Sequence, residues 1–299
     1  MKLLVTGAFN CTEEQLRFLK SMENDVLFMQ YEKDALPCEP EEIEGVICNG
    51  LFLYHDIKDF TALKFIQLTS AGFDRVPMDF IKEKGIKIYN AKGVYSAPMA
   101  EFALCGVLGL YKQSRFFSDN QREHKWEKHR SLLELFGKTV TIVGCGSVGT
   151  ECAKRFGAFD TTVLGVDLIE PQGDYFNEFF TLQGIEAALG KSDIIVLTLP
   201  LTDKTKDMFN DALLSSVKKG AILVNVARGP IVNENALVSA LNCGALSGAV
   251  LDVFNEEPLS PDSPLWDMEN VIITPHNSFV GEGNNGRLFE LIKNNLSLI

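Results

Sequence analysis

The chain is poor in the features that mark membrane, disulfide-rich, metal-binding or nucleic-acid-binding proteins. None of its seven cysteines forms a C-x-x-C pair, and none has a histidine at metal-ligand spacing. That excludes zinc-finger patterns and argues against a disulfide framework. The cysteines are scattered, several in apolar runs where a thiol acts as a small hydrophobe. This usage belongs to a reducing compartment, so a cytoplasmic protein is expected. No apolar run approaches membrane-spanning length; the longest apolar-rich stretch, Phe102 to Tyr111, is far too short. Met1 to Val5 is too short for a signal peptide and reads as a first strand. Positive charge is also scarce: 28 Lys and Arg face 40 Asp and Glu, for a formal net charge of −12. Without a basic stripe, neither nucleic acid nor an anionic membrane is an expected partner. There is no internal repeat beyond a shared α/β pattern and no low-complexity segment.

The 299 residues that remain to be explained are 46% hydrophobic and 23% charged, the balance of a globular chain with room for two domains. Strand-like runs at Lys2-Val5, Val26-Met29, Gly45-Cys48, Phe65-Leu68 and Ile86-Tyr89 alternate with helical patterns at Cys11-Met22 and Pro77-Lys84. Such alternation predicts a parallel sheet with helices on both faces. Pro98 to Ser114 reads as one long helix, followed by a polar stretch holding Trp126. A second α/β series follows. Its six strands are Thr139-Val143, Thr162-Val166, Ile194-Leu199, Ala221-Val226, Ser247-Asp252 and Val271-Thr274, with helices including Asn210-Val217 and Asn233-Cys243. A closing helix is expected over Asn285-Ile299, and no regulatory domain after it.

The second series opens on Gly144-Cys145-Gly146-Ser147-Val148-Gly149, a G-x-G-x-x-G turn between a β-branched strand and a helical pattern. Gly144 permits the tight turn, Gly146 lets backbone approach a pyrophosphate, and Gly149 lets helix and strand pack closely. Ser147 and Val148 open the helix, whose N-terminal N–H groups and dipole favour phosphate. The bare pattern also fits a purely structural turn. Asp167 favours the dinucleotide reading: it ends the next strand, 18 residues beyond Gly149, where a carboxylate accepts from the adenosine ribose hydroxyls.

Chemistry-bearing residues recur after the later strands. Pro200 and Thr205 follow one, Val226-Ala227-Arg228 another, Asp252 and Glu257 a third, and His276 the last. In a parallel sheet these ends face the side of the glycine turn. Arg228 suits a carboxylate gripped through two N–H groups. Alone, a histidine after an apolar strand is more often a satisfied core residue. A carboxylate beside it stabilises the imidazolium and makes a general acid for a ketone, or a base for an alcohol once deprotonated. In the first series, Ser70-Ala71-Gly72 follows a strand and exposes N–H groups to a carboxylate, and Leu51 and Phe52 look like an apolar pocket wall.

The chain resembles the D-isomer-specific 2-hydroxyacid dehydrogenase family. The stretches that carry the resemblance include Ser70 to Asp74, Gly137 to Gly149, Leu199 to Thr202, Asn225 to Gly229, Leu251 to Phe254, Glu257 to Leu259 and Thr274 to His276, in family order over almost the whole chain. The resemblance implies an NAD-binding Rossmann domain, residues 97–280, inserted into a flavodoxin-like substrate domain, residues 1–96 and 281–299. It implies NAD as cofactor, a small 2-keto or 2-hydroxy acid as substrate, and a homodimer built through the long helix and the Trp126 arm. By position, Arg228 binds the substrate carboxylate and keto oxygen, His276 is the acid/base, Glu257 pairs with it, and Asp252 holds the nicotinamide amide. Gly144, Gly146, Ser147, Val148, Gly149, Asp167, Pro200, Thr205, Val226 and Ala227 fall to the cofactor, and Leu51, Ser70, Ala71 and Gly72 to the substrate. The chain departs from the family at Asn277-Ser278, where a small apolar pair is usual. Two other readings of the resemblance are an NAD(H)-sensing, corepressor-like binding protein and formate oxidation. The second is disfavoured because relatives with that activity carry glutamine in place of Glu257.

Overall fold

In the computed structural model, which describes residues 1–299, the chain divides into two units, Met1–Tyr95 with Gly281–Ile299 and Ser96–Val280. Unit one runs β1 (Lys2–Thr6), α1 (Glu13–Ser21), β2 (Asp25–Met29), β3 (Gly45–Cys48), β4 (Phe65–Leu68), α2 (Met78–Lys84) and β5 (Lys87–Tyr89). All five strands are parallel, in the order β2-β1-β3-β4-β5, the flavodoxin-like arrangement. Strands β3 and β4 are buried along their whole length, as expected of apolar runs covered on both faces. Helix α1 starts at a capping box between Thr12 and Gln15. The closing helix, Asn284–Leu296, lays Leu288, Ile292 and Leu296 against Leu3, Val5 and Phe9. It thereby returns the chain end to the unit that holds its start.

Unit two runs α3 (Ser96–Tyr111), α4 (Ser114–Arg122), β6 (Thr139–Val143), α5 (Ser147–Gly157), β7 (Thr162–Asp167), β8 (Glu178–Thr181), α6 (Ile185–Leu189), β9 (Ile194–Leu197), α7 (Asp211–Ser215), β10 (Ala221–Asn225), α8 (Glu234–Asn242), β11 (Leu246–Leu251) and β12 (Val271–Ile273). Its seven parallel strands are ordered β12-β11-β10-β9-β6-β7-β8. The order reverses between β6 and β9, the switch point where ligands bind in open α/β sheets. Helices α7 and α8 begin at the side-chain caps Asn210 and Asn233.

Two features differ from the sequence expectation. The predicted helix Pro98–Ser114 ends at Tyr111, and a second helix starts after Gln113, whose φ of 53° breaks the helical path. The sheet also has a strand beyond the six expected, β8, paired to β7 at the edge. No helix is long and apolar enough to cross a membrane.

Candidate active site

The glycine turn sits at the switch point. Gly144 takes φ of 100°, and a Cβ there would lie 2.5 Å from the backbone nitrogen of Leu199, which follows β9. A Cβ on Gly149 would lie 2.0 Å from the Gly144 carbonyl oxygen, so α5 reaches this closeness to β6 only with glycine. Above Gly146 the space is open for 4 Å. Helix α5 starts there without a side-chain cap or an acidic residue in its first turn, so its first N–H groups remain for an external anion. Thr198 braces the turn, its hydroxyl donating to the Gly144 carbonyl at 2.5 Å.

Asp167 lies at the tip of β7. Its carboxylate accepts from the N–H groups of Cys145 and Leu168, each at 2.6 Å, which aims it across the turn and leaves acceptor capacity for hydroxyls. An uncapped helix start, open space over Gly146 and this carboxylate together fit the phosphates and ribose of a dinucleotide. The Cys145 thiol beneath is inert: burial, with the Asp167 charge adding, pushes it up to about 12.

The remaining cofactor candidates divide between surface and interior. Pro200 is exposed, whereas Thr205 is buried and folds its own loop, accepting from Thr202 N–H at 2.7 Å and donating to the Pro200 carbonyl at 2.8 Å. The side chains of Val226 and Ala227 are buried, so only their backbone is open to a ligand.

Arg228 follows β10. Buried Asn225, which sequence reasoning passed over, shapes the turn: its amide donates to the Arg228 carbonyl and accepts from Ala227 N–H, both at 3.1 Å. The exposed Arg228 guanidinium has no carboxylate partner, and Nη1 donates only to the Ala227 carbonyl at 2.8 Å. A Cβ on Gly229 would lie 1.9 Å from the carbonyl carbon of Phe254, so this turn is pressed on the loop that follows β11. That loop carries Glu257. Its Oε1 accepts from Phe254 N–H at 3.0 Å, and its Oε2 lies 2.8 Å from His276 Nδ1. The bond at Nδ1 leaves Nε2 as the ring nitrogen free to exchange a proton with a ligand.

Asp252 is fully buried and holds the His276 segment from both sides. Its carboxylate accepts from Thr274 Oγ1 at 2.7 Å, Asn277 N–H at 2.8 Å and Ser278 N–H at 2.9 Å, while its carbonyl accepts from His276 N–H at 2.8 Å. The non-family pair Asn277-Ser278 therefore meets Asp252 through backbone, which any side chain permits. These bonds keep His276 at φ of 52°, a conformation rare for a residue other than glycine. The nicotinamide amide, given to Asp252 by the resemblance, would find three of its acceptor positions already engaged. A concavity of about 810 Å³ lies under the Trp126 arm and includes none of these residues.

In unit one, the loop after β4 is held by its carbonyls. Ser70 O accepts from Ala91 N–H at 2.8 Å, Ala71 O from the Asn90 amide at 2.5 Å, and Gly72 O from the Ser70 hydroxyl at 3.1 Å; Tyr95 donates to Thr69 O. The N–H groups of Ser70, Ala71 and Gly72 have no acceptor in the chain, the polarity an anion requires. Asn90 and Tyr95 were not legible as loop holders, because their partners lie 19 and 26 residues away. One expectation needs correction. The Leu51 side chain is fully buried in the unit-one core beside Cys48 and Leu68, so it is no pocket wall; the exposed apolar residues of that loop are Leu53 and Tyr54.

Residues 104–278 match the family described as D-isomer specific 2-hydroxyacid dehydrogenase, NAD binding domain. A glyoxylate reductase of Thermofilum pendens is 35% identical over 241 residues, covering 78% of this chain and 71% of that protein. A D-isomer specific 2-hydroxyacid dehydrogenase family protein from Aeromonas salmonicida has the same fold, with a TM-score of 0.82 and 29% identity over 99% of this chain and 94% of that one. The D-lactate dehydrogenase of Aquifex aeolicus, solved with NAD and lactic acid, gives 0.78 and 25% identity, covering 99% and 94%.

Proposed function

The chain belongs to the D-isomer specific 2-hydroxyacid dehydrogenase family, and from that premise we propose that it interconverts a 2-keto acid and a D-2-hydroxy acid, with His276 as the acid/base. The observation that carries this reading is the Glu257–His276 pair at 2.8 Å beside an arginine turn whose guanidinium has no protein carboxylate. NAD, when bound, supplies or accepts the hydride. Gly144 to Gly149 and Asp167 hold it by phosphate and ribose. Arg228 takes the substrate carboxylate and stabilises negative charge growing on the keto oxygen. In unit one, Ser70, Ala71 and Gly72 offer free N–H groups to an anion.

The proton balance follows from the His276 hydrogen bond. With Nδ1–H directed at Glu257, the protonated ring gives its Nε2 proton to the keto oxygen during reduction and becomes neutral. In oxidation neutral Nε2 takes the hydroxyl proton, and Glu257 stabilises the imidazolium that forms. Asp252 acts through the backbone of this segment, as a positioning residue.

A second copy of the chain is the proposed partner of the arm around Trp126. Trp126 is 97% exposed, and Asn120 below it has a buried amide nitrogen without an acceptor, a surface that favours being covered. Light scattering reads the mass. The function itself is tested by NADH oxidation with a panel of glyoxylate, pyruvate, hydroxypyruvate and phenylpyruvate; reduction of none of them would refute it.

A further inference from the structure

We infer that Asn225 is a positioning residue, whose side-chain amide sets the direction in which Arg228 leaves its turn and so aims the guanidinium at the substrate carboxylate. This deepens the proposed function and rests on reading Arg228 as the partner of that carboxylate.

Asn225 ends β10 and is 1% exposed. A buried amide needs partners for both its oxygen and its nitrogen, and here both partners lie in the arginine turn. Oδ1 accepts from Ala227 N–H and Nδ2 donates to the Arg228 carbonyl, each at 3.1 Å. These groups belong to the peptide units that precede Ala227 and follow Arg228. The unit between them keeps its carbonyl for the guanidinium, whose Nη1 donates to it at 2.8 Å. Three consecutive peptide units are thus held, the outer two by Asn225 and the middle one by Arg228 itself.

The turn is also closed from its far side. A Cβ on Gly229 would lie 1.9 Å from the Phe254 carbonyl carbon, and Ile231 N–H donates to the Arg228 carbonyl at 3.3 Å. Arg228 is the only exposed residue from Ala221 to Gly229. A long, mobile side chain therefore springs from a fixed root, which lowers the entropy lost when it meets a ligand.

The Asn225 backbone does something separate. Its carbonyl accepts from Asp252 N–H at 3.1 Å, and Asp252 holds the His276 segment. A side-chain substitution spares that bond. The arginine and the histidine are tied to one residue but by different atoms, so they can be uncoupled.

The test is a double-mutant cycle on the full chain. It compares kcat/KM with NADH, for the acid of the panel that wild type reduces fastest, among wild type, Asn225→Ala, Arg228→Gln and the double variant. Asn225→Ala should lower kcat/KM about 10–100-fold, the cost of misplacing a binding group by about 1 Å. In the Arg228→Gln background the same change should cost less than about threefold, since no guanidinium remains to be aimed. The pH dependence of the residual activity should keep its wild-type shape, because the His276 segment is untouched. Asn225→Ser keeps an oxygen that can accept from Ala227 N–H and should recover part of the loss. A purely structural role would cost the same factor in both backgrounds. If Asn225→Ala does not fold, Asn225→Ser carries the same cycle. Equal costs in both backgrounds, or wild-type turnover by Asn225→Ala, with Arg228→Gln itself crippled, overturn this inference and leave the functional reading standing. Reduction of no acid by wild type, or full activity of Arg228→Gln, overturns both.

Discussion

Glu257 Oε2 lies 2.8 Å from His276 Nδ1, and the other oxygen of the same carboxylate is anchored by Phe254 N–H at 3.0 Å. One oxygen fixes the carboxylate to its own loop and the other fixes the ring. Glu257→Gln keeps most of the shape and removes the charge that faces the ring. Reduction and oxidation should both fall, by about tenfold or more and by the same factor, because the equilibrium constant is fixed. The check is kcat/KM in both directions beside NADH titration; turnover close to wild type would make Glu257 a bystander.

Arg228→Gln should weaken substrate use by about 2–5 kcal/mol in kcat/KM, toward the lower end because the guanidinium is exposed. NADH affinity by fluorescence titration should hardly change. Lost NADH binding with unchanged substrate saturation would assign Arg228 to the cofactor instead.

NADH should be strongly preferred over NADPH. Asp167 ends β7 and is followed by exposed Leu168, Ile169 and Glu170, with no cation to meet a 2′-phosphate. Asp167→Ser with Leu168→Arg should narrow the preference, measured as the ratio of kcat/KM values. Equal values for both cofactors in the wild type would remove this role from Asp167.

Asp193 lies at the opposite, amino end of the same sheet and bears on stability. Burial by itself would raise its carboxyl. Lys218 Nζ at 2.7 Å, Thr139 N–H at 2.9 Å and Lys138 Nζ at 4.0 Å outweigh burial and hold it below the usual carboxylate range. A depressed folded value stabilises the fold above the unfolded value, about pH 4, and this contribution is lost as pH falls through the folded value. Asp193→Asn should cost roughly 1–3 kcal/mol at neutral pH, with the deficit shrinking in acid. Urea unfolding at pH 7 and near pH 3 reads it; a deficit that does not vary with pH would contradict the assignment.

Most strands were legible because β1, β3, β4, β6, β9, β10 and β11 are apolar, β-branched runs bounded by turn residues, the pattern that burial on both faces demands. Strand β8 was not, since Glu178 and Thr181 are exposed and only Phe179 and Phe180 are partly covered at a sheet edge. The break at Gln113 carries neither glycine nor proline, so nothing local announces it. Arg228, Glu257 and His276 could be picked out because each follows a strand end. Asn225, Asn90 and Tyr95 hold those or neighbouring loops through contacts that only folding creates. Leu51 misled for the converse reason: an apolar residue after a strand faces either a pocket or the core, and here the core takes it.

The central claim is that His276 moves the proton. Its most direct test is the rate of NADH oxidation by His276→Ala against wild type, with glyoxylate and hydroxypyruvate, alongside NADH titration of both proteins. The claim requires kcat to fall about 10²–10⁴-fold in each direction while NADH binds as before. Turnover by His276→Ala within a few-fold of wild type would contradict it.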